Sequence, residues 1–361
     1  MATIFTKDSL RASVEANSGG KVTVLYNEKG HPGYYVRIPA FRLEDIDADL
    51  GSGLHPAFIV NGMQKSELLY GMYPAAIKDG CGLPLPGVDP ATYVTYDQAQ
   101  AYCTANGPGF HLSTMHEWSA FKMWCMKNGF QPRGNTNYGR HHDQKHETGV
   151  RQDGGVPGVT SGSARTLTGS GPMSWRHDNS PFGVSDLVGN VNEWQGLLKI
   201  VDGRIYTTPD NRFDTPEEDW VAQDAYFDST AAGDENSSGD IGDPILSDGV
   251  TKHAGPAGSD EYFAYTQLSA WSSLTLKAGY TPPDIVKQLG ISPAISGDAA
   301  SNIAVYSGIL GFLYVRNYGT RFPICGGYWI STSIAGLAAL SLYIARSYSS
   351  NGLGFRPAFV A

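Results

Sequence analysis

Apolar residues in this chain occur as short runs between turn-forming residues, with few long periodic stretches. After a helix-prone start, Lys21 to Tyr26 (KVTVLY) predicts a short strand with imperfect alternation. The runs Ala57 to Val60 and Glu67 to Tyr73 predict two strands joined through Asn61-Gly62 and a polar turn. Two stretches carry helical periodicity. Thr95 and Gln98 are spaced as a capping box for a helix running through Ala105, with Gly107 beyond its end. Thr114 and Glu117 form a second box, and Trp118, Phe121 and Cys125 recur on one face up to Gly129, which predicts core packing. Residues 131 to 182 and 199 to 262 lack clear periodicity and predict long loops, the second of them acidic through DTPEEDW and GDENSSGDIGD.

The segment from Cys325 to Val360 is patterned differently. One set of positions holds apolar residues, glycine or arginine: Gly326, Gly327, Trp329, Ala335, Gly336, Ala339, Leu340, Leu342, Arg346, Gly354, Phe355, Arg356 and Pro357. The interleaved set is Tyr328, Ile330, Ser331, Thr332, Ser333, Ile334, Ser341, Tyr343, Ile344, Tyr348, Ser350 and Asn351, and Asn317 and Tyr318 continue it upstream. Tyrosine supplies large rigid contact area at little entropic cost, while serine and asparagine supply adaptable hydrogen bonds. The pattern predicts a fixed frame displaying a binding face, with no catalytic cleft.

These residues carry a resemblance. The segment resembles the variable region of proteins diversified by retroelements, which end in a C-type lectin fold related to the formylglycine-generating enzymes. The pattern GG-x-W, AG-x-x-AL-x-L, AR-x-x-S and GFRPA of that family stands here at Gly326 to Trp329, Ala335 to Leu342, Ala345 to Ser349 and Gly354 to Ala358. In that family, asparagine template codons are rewritten at their adenines and reach Tyr, Ser, Thr, Ile and Asn. The interleaved set contains those five types alone. HLSTMHEWSAFKMW (His111 to Trp124) is similar to the family's RLPTEAEWEYA through Leu112, Thr114, Glu117 and Trp118, and departs at His111 and Ser113. GVSDLVGNVNEW (Gly183 to Trp194) is similar to GVYDMLGNVWEW through Asp186, Gly189, Asn190, Val191, Glu193 and Trp194. Upstream, IPAF, HPAFIVNG and GMYPA are similar to the N-terminal parts of phage-encoded members, a less diagnostic match.

The resemblance implies an α+β, C-type lectin-like fold of the formylglycine-generating type with a small β-rich N-terminal segment. It divides the chain into a mounting or oligomerising segment, residues 1–60, and a lectin-like domain, 61–361, whose variable region spans about 316–351. The implied partner is a protein or glycan receptor on a target cell, bound from a phage tail, with a homotrimer as the first expectation. The rivals are a secreted or cell-surface binding protein of the same class and a formylglycine-type oxidase. A structural calcium ion is compatible with the family, and the sequence does not place its ligands.

Composition narrows this further. A net charge of −9, with no basic stripe, argues against nucleic-acid partners. Forty-four glycines and 21 prolines spread along 361 residues argue for turn-held loops over a helical bundle. The N-terminal MATIFTKDSLRASVEANSGG has no apolar core or cleavage motif, so the expectation is synthesis in a host cytoplasm without a signal peptide and delivery on a virion. The most apolar stretch, Ile303 to Val315, is interrupted and too short to span a bilayer.

Candidate chemistry is thin. Cys81, Cys103, Cys125 and Cys325 show no CxxC spacing, and only Cys325 lies in the C-terminal third, where oxidase chemistry needs a close pair. There is no G-x-S-x-G elbow and no G-x-G-x-x-G after a strand. HHDQKHE (His141 to Glu147) places His142 and His146 four apart beside Asp143 and Glu147, but its flanks read as loop. Asp234, Asn236, Ser238 and Gly239 imitate half a calcium loop that ends on Ile245 where glutamate is needed. Arg346 and Arg356, the charged members of the fixed set, are expected to tie strands and loops together.

Overall fold

Cap and turn residues set most element boundaries. The computed structural model describes residues 8–230, 241–254, 265–271, 274–292 and 310–361. Helix α1 (Ser9–Ser18) starts where the Asp8 side chain accepts the Arg11 N–H and stops at left-handed Gly19. Strands β1 (Val22–Tyr26) and β2 (Pro32–Pro39) follow as an antiparallel pair, then the single turn α2 (Leu43–Ile46). Asn61 and Gly62, both at positive φ, close a minimal hairpin of β3 (Ile59–Val60) and β4 (Met63–Gln64) ahead of β5 (Glu67–Gly71). The expected strand from Ala57 is therefore mostly a 3-10 turn, Pro56–Phe58, because His55 accepts the Ala57 N–H and caps it.

A second hairpin, β6 (Ala75–Lys78) with β7 (Cys81–Pro84), leads to α3 (Tyr96–Thr104), β8 (Phe110–Leu112) and α4 (Met115–Lys127). Both helices begin in the expected capping boxes, Thr95 with Gln98 and Thr114 with Glu117. The later strands are β9 (Asn192–Trp194), β10 (Leu198–Val201), β11 (Arg204–Thr207), β12 (Val221–Ser229), β13 (Pro244–Ser247), β14 (Gln267–Ala270) and β15 (Thr275–Leu276). Helix α5 (Asp284–Gln288) precedes β16 (Phe312–Val315), β17 (Thr320–Gly326), β18 (Gly336–Ile344), β19 (Leu353–Phe355) and β20 (Pro357–Phe359).

One sheet has the order β1-β2-β5-β20-β8, all antiparallel, so the C-terminal strand lies inside it beside the N-terminal ones. The other has eleven strands, nine of them on the path β14-β16-β18-β17-β10-β11-β12-β13-β15, with β9 bridging β17 and β19. It curls until β13 comes against β14, and Gln267 Nε2 donates to Ile241 O across the closure. Four of its strands, β10 to β13, occupy the region expected to be one long loop. Three of them are only four residues long, and in the nine-residue β12 (VAQDAYFDS) the apolar and polar residues fall in runs without alternating.

Helix α4 joins the two sheets. Trp118 and Phe121 share one core with Val36, Leu68 and Tyr70 from the first sheet and Leu198, Leu313, Leu340 and Leu342 from the second. Each such side chain contributes about 1.5–3 kcal/mol on burial. A smaller core on the far side of β17 gathers Tyr96, Cys103, Trp194, Phe322, Ile344 and Phe355. Among the described residues no helix is long and apolar enough to cross a membrane.

Candidate binding face

The fixed residues of the C-terminal segment form the frame. Arg356 and Glu193 are both buried, and the guanidinium donates from Nε and Nη2 to the two carboxylate oxygens, the former at 2.8 Å. Its remaining N–H groups reach Gly71 O and Ser185 O, which ties β5, the 185–186 turn and β9 to the C-terminus. Burial pushes the Glu193 carboxyl up, against the pull of Arg356. Asp186 and Asn190 sit at φ 59° and 60°, a left-handed conformation that their residue types tolerate best. The buried Asn190 side chain accepts from Thr166 N and donates to Thr166 O. Trp118 and Trp194 are bonded as well as packed, to Leu337 O and Val94 O. Gly326 and Gly327 turn the chain at φ 92° and 82°, so close to Leu187 O and Ala335 that a Cβ would stand 2.6 Å from each.

His111, which departs from the family pattern, has a physical account. Its ring donates or accepts at Glu117 Oε1 over 2.9 Å and stacks on Phe213 at 3.9 Å between centroids. Glu117 thereby serves both the helix cap and a buried polar network with Asn211.

On this frame, β18 alternates. Leu340 and Leu342 point into the main core, while Ser341 and Tyr343 are half-buried on the opposite face. Leu268 pairs with Tyr314, and Tyr314 with Ser341, so the three lie in one row across β14, β16 and β18. The Tyr314 and Tyr343 rings are 5.9 Å apart. Beyond the end of β17, Tyr328 lies over Gly352, where a Cβ would meet its ring at 2.4 Å. Burial raises the Tyr328 hydroxyl, with Tyr348 and Tyr138 adding to the effect, and burial beside Tyr328 pushes Tyr314 up to about 12. Tyr314, Tyr328, Tyr348 and Tyr138 thus gather in one neighbourhood. Ile330, Thr332 and Ser333 are exposed on the following loop, and Ile334, Tyr348, Ser350 and Asn351 are half-buried.

Four expected members of the face are placed elsewhere. Asn317 is buried, donating to Lys252 O and accepting from Ala254 N, because its amide fills the bonding needs of a neighbouring loop. Ile344 is buried against Phe322 and Tyr96 in the smaller core. Ser331 is buried because its Oγ accepts the Tyr328 N–H at 2.9 Å, holding the turn that presents Tyr328. Tyr318 packs against His253 at the start of β17, about 20 Å of strand from Tyr328. In the fixed set, Trp329 and Phe355 are buried as expected, whereas Arg346 is exposed. It pairs with Asp97 and Glu217 and covers the Phe322 ring, tying the 345–352 loop to α3.

Three tyrosines of the neighbourhood lie outside the 316–351 segment: Tyr314 on β16, Tyr138 and Tyr93. The Tyr138 N–H donates to Trp329 O and its ring meets Trp329 edge-on at 5.1 Å. Tyr93 is 66% exposed and its N–H donates to Ser350 O. Tyr93 stands in ATYVTY and Tyr138 in GNTNYGR, polar loop stretches whose sequences give no hint of what they approach.

The other chemical candidates resolve simply. His141 to Glu147 is loop, the Glu147 carboxylate is held by Arg133 and Trp175, and His142 bonds Thr136. Among the described residues no three His, Cys, Asp or Glu side chains are grouped to hold a metal ion. Asp234, Asn236, Ser238 and Gly239 lie outside the described residues. All four cysteines are buried and free, none of them in a disulfide. Burial raises the Cys103, Cys125 and Cys325 thiols, away from the reactive thiolate.

No family model matches the chain, and no curated protein does. Among solved structures, the chain is similar to Treponema denticola variable protein 1, at 13% identity and a TM-score of 0.33, covering 94% of this chain and 98% of that one. A superposition that loose leaves the reading of the face to its own geometry.

Proposed function

We propose that the protein is a non-catalytic recognition protein of the retroelement-diversified kind, built on a C-type lectin-like fold of the formylglycine-generating type. Its contact surface is the tyrosine, serine and threonine face over β16, β18 and the two loops after β17 and β18. One observation carries the reading. Tyr328, Ser341 and Tyr343 alternate in sequence with buried residues and yet are half-exposed in one region with Tyr314 and Tyr348. Rigid aromatic area with small hydroxyls beside it suits recognition of protein or glycan.

The specific setting, a phage tail fibre engaging a cell-surface receptor, rests on the sequence resemblance. So does the mounting role of residues 1–60, where clustering of copies would multiply modest single-site affinity. The test is the neighbouring DNA together with the purified chain. A near-copy of the segment encoding residues 325 to 357, beside a reverse-transcriptase gene, is the expected finding. A neighbourhood with neither overturns the diversified reading. Light scattering is expected to give a trimer at micromolar concentration, and a strict monomer removes the clustering role.

A further inference from the structure

We infer that Tyr93 and Tyr138, which lie outside the diversified segment, are constant contact residues of the same face, and that they favour a folded protein as its partner. The inference rests on the binding reading above and adds to it the part of the surface that does not vary.

Backbone strain singles these residues out. Ten non-glycine residues among those described have positive φ, and six are asparagine or aspartate, the types that adopt it readily. The other four are Tyr93 at 56°, Tyr138 at 51°, Leu197 at 58° and Thr332 at 52°. Leu197 is buried, and its side chain fills the smaller core. The other three border the face, each with its N–H bonded across it: Tyr93 to Ser350 O, Tyr138 to Trp329 O, and Thr332 to Thr136 O. Left-handed backbone disfavours a bulky side chain, and strain of this kind concentrates at working sites.

Tyr93 makes the argument sharpest. Tyr93 is 66% exposed, so core packing does not account for an aromatic there, and its backbone would be easier with asparagine. A residue that serves neither the core nor the local backbone is explained by what it touches outside the chain. Tyrosine is the side chain best suited to that contact, being large, rigid and polar at its tip. Its bond to Ser350 O keeps it in register with the 345–352 loop whatever that loop displays, because a backbone carbonyl is present for every residue type.

The partner class follows from shape and charge. Tyr93 is exposed, and Tyr138, Tyr328, Tyr343 and Tyr348 are half-buried, so they present a surface to the outside of the chain. Tyr93, Tyr138, Tyr314, Tyr328, Tyr343 and Tyr348 carry no formal charge, and open uncharged aromatic surfaces of this type match the polar surface of a folded protein.

The experiment randomises positions 328, 330, 332, 333, 334, 341, 343, 348, 350 and 351 among Tyr, Ser, Thr, Ile and Asn on the full chain. The library is displayed on yeast and selected on lysozyme as the protein probe and on mannan-coated beads as the glycan probe. Tyr93→Asn and Tyr138→Asn are then placed in the selected binders. The expected result is lysozyme binders in which Tyr93→Asn weakens affinity at least tenfold while raising Tm by about 1–3 °C through relief of the left-handed backbone. A weakening within twofold, or a fall in Tm on Tyr93→Asn, overturns the contact role and leaves the binding reading intact. Binders on mannan alone overturn the protein assignment. No binders on either probe overturn the binding reading, and this inference with it. Should Tyr138→Asn lose its fold through the Trp329 contact, Tyr138→Phe in the same binders decides that position by the same tenfold criterion.

Discussion

Arg356 clasps the Glu193 carboxylate with two of its N–H donors where neither side chain reaches water. The pair sits one residue beyond β19 and inside β9, and β9 also carries Trp194 and lies against β17. The face is therefore mounted on a charged, fully bonded cross-brace. A flat apolar contact would permit sliding, whereas a planar fork holding a carboxylate and two carbonyls admits one arrangement.

Breaking the brace is expected to be costly. Glu193→Ala leaves the guanidinium buried without its counter-charge, and such losses run to about 3–5 kcal/mol. Denaturant unfolding of the variant checks this. A loss below about 1 kcal/mol would remove the cross-brace role.

Frame and face should separate in a truncation series. Leu342→Ala and Phe355→Ala, both fully buried, are expected to lose about 2–5 kcal/mol. Ser333→Ala and Ser341→Ala are expected to stay within about 0.5 kcal/mol of the parent. Melting of the four proteins side by side tests the division, and comparable losses in both pairs would refute it.

Thr332 is β-branched and left-handed at φ 52°, an unusual combination. Asparagine adopts that conformation more easily. Thr332→Asn is expected to stabilise the chain by about 1 kcal/mol. A neutral or negative change in unfolding free energy would show that the loop relaxes around threonine.

Acid should weaken the fold through buried histidines. Burial lowers His55 to about 3, with His116 adding to the effect, and burial lowers His116 to about 4. His177, buried beside Asp178, is likewise lowered to about 4. A histidine with a folded value below its unfolded 6.5 binds more protons when unfolded at lower pH. Its contribution is complete above pH 6.5 and is lost as pH falls toward 4, at about 1.4 kcal/mol per unit for each group. His116→Gln is expected to keep the Thr208 carbonyl bond and flatten the stability profile between pH 6.5 and 4. An unchanged slope would exclude His116 from the acid response.

Much of the frame was legible in the sequence because it is local. Capping boxes at Thr95 and Thr114 act over three residues, and Asn61-Gly62 makes its turn within two. The alternation of Ser341 and Tyr343 with Leu340 and Leu342 likewise follows from the two-residue period of a strand. Residue type alone did not decide which of the interleaved positions reach the surface. Asn317, Ser331 and Ile344 belong to the expected set by composition, yet a loop amide network, a turn hydroxyl and the smaller core claim them. Strands β10, β11 and β13 escaped because four residues are too few to show a period, and β12 because its apolar and polar residues fall in runs without alternating. Tyr93 and Tyr138 carry no signal of their own in the sequence. Their place beside residues 350 and 329 exists only because two distant loops exchange backbone hydrogen bonds, and such pairings are settled by the closing of the whole fold.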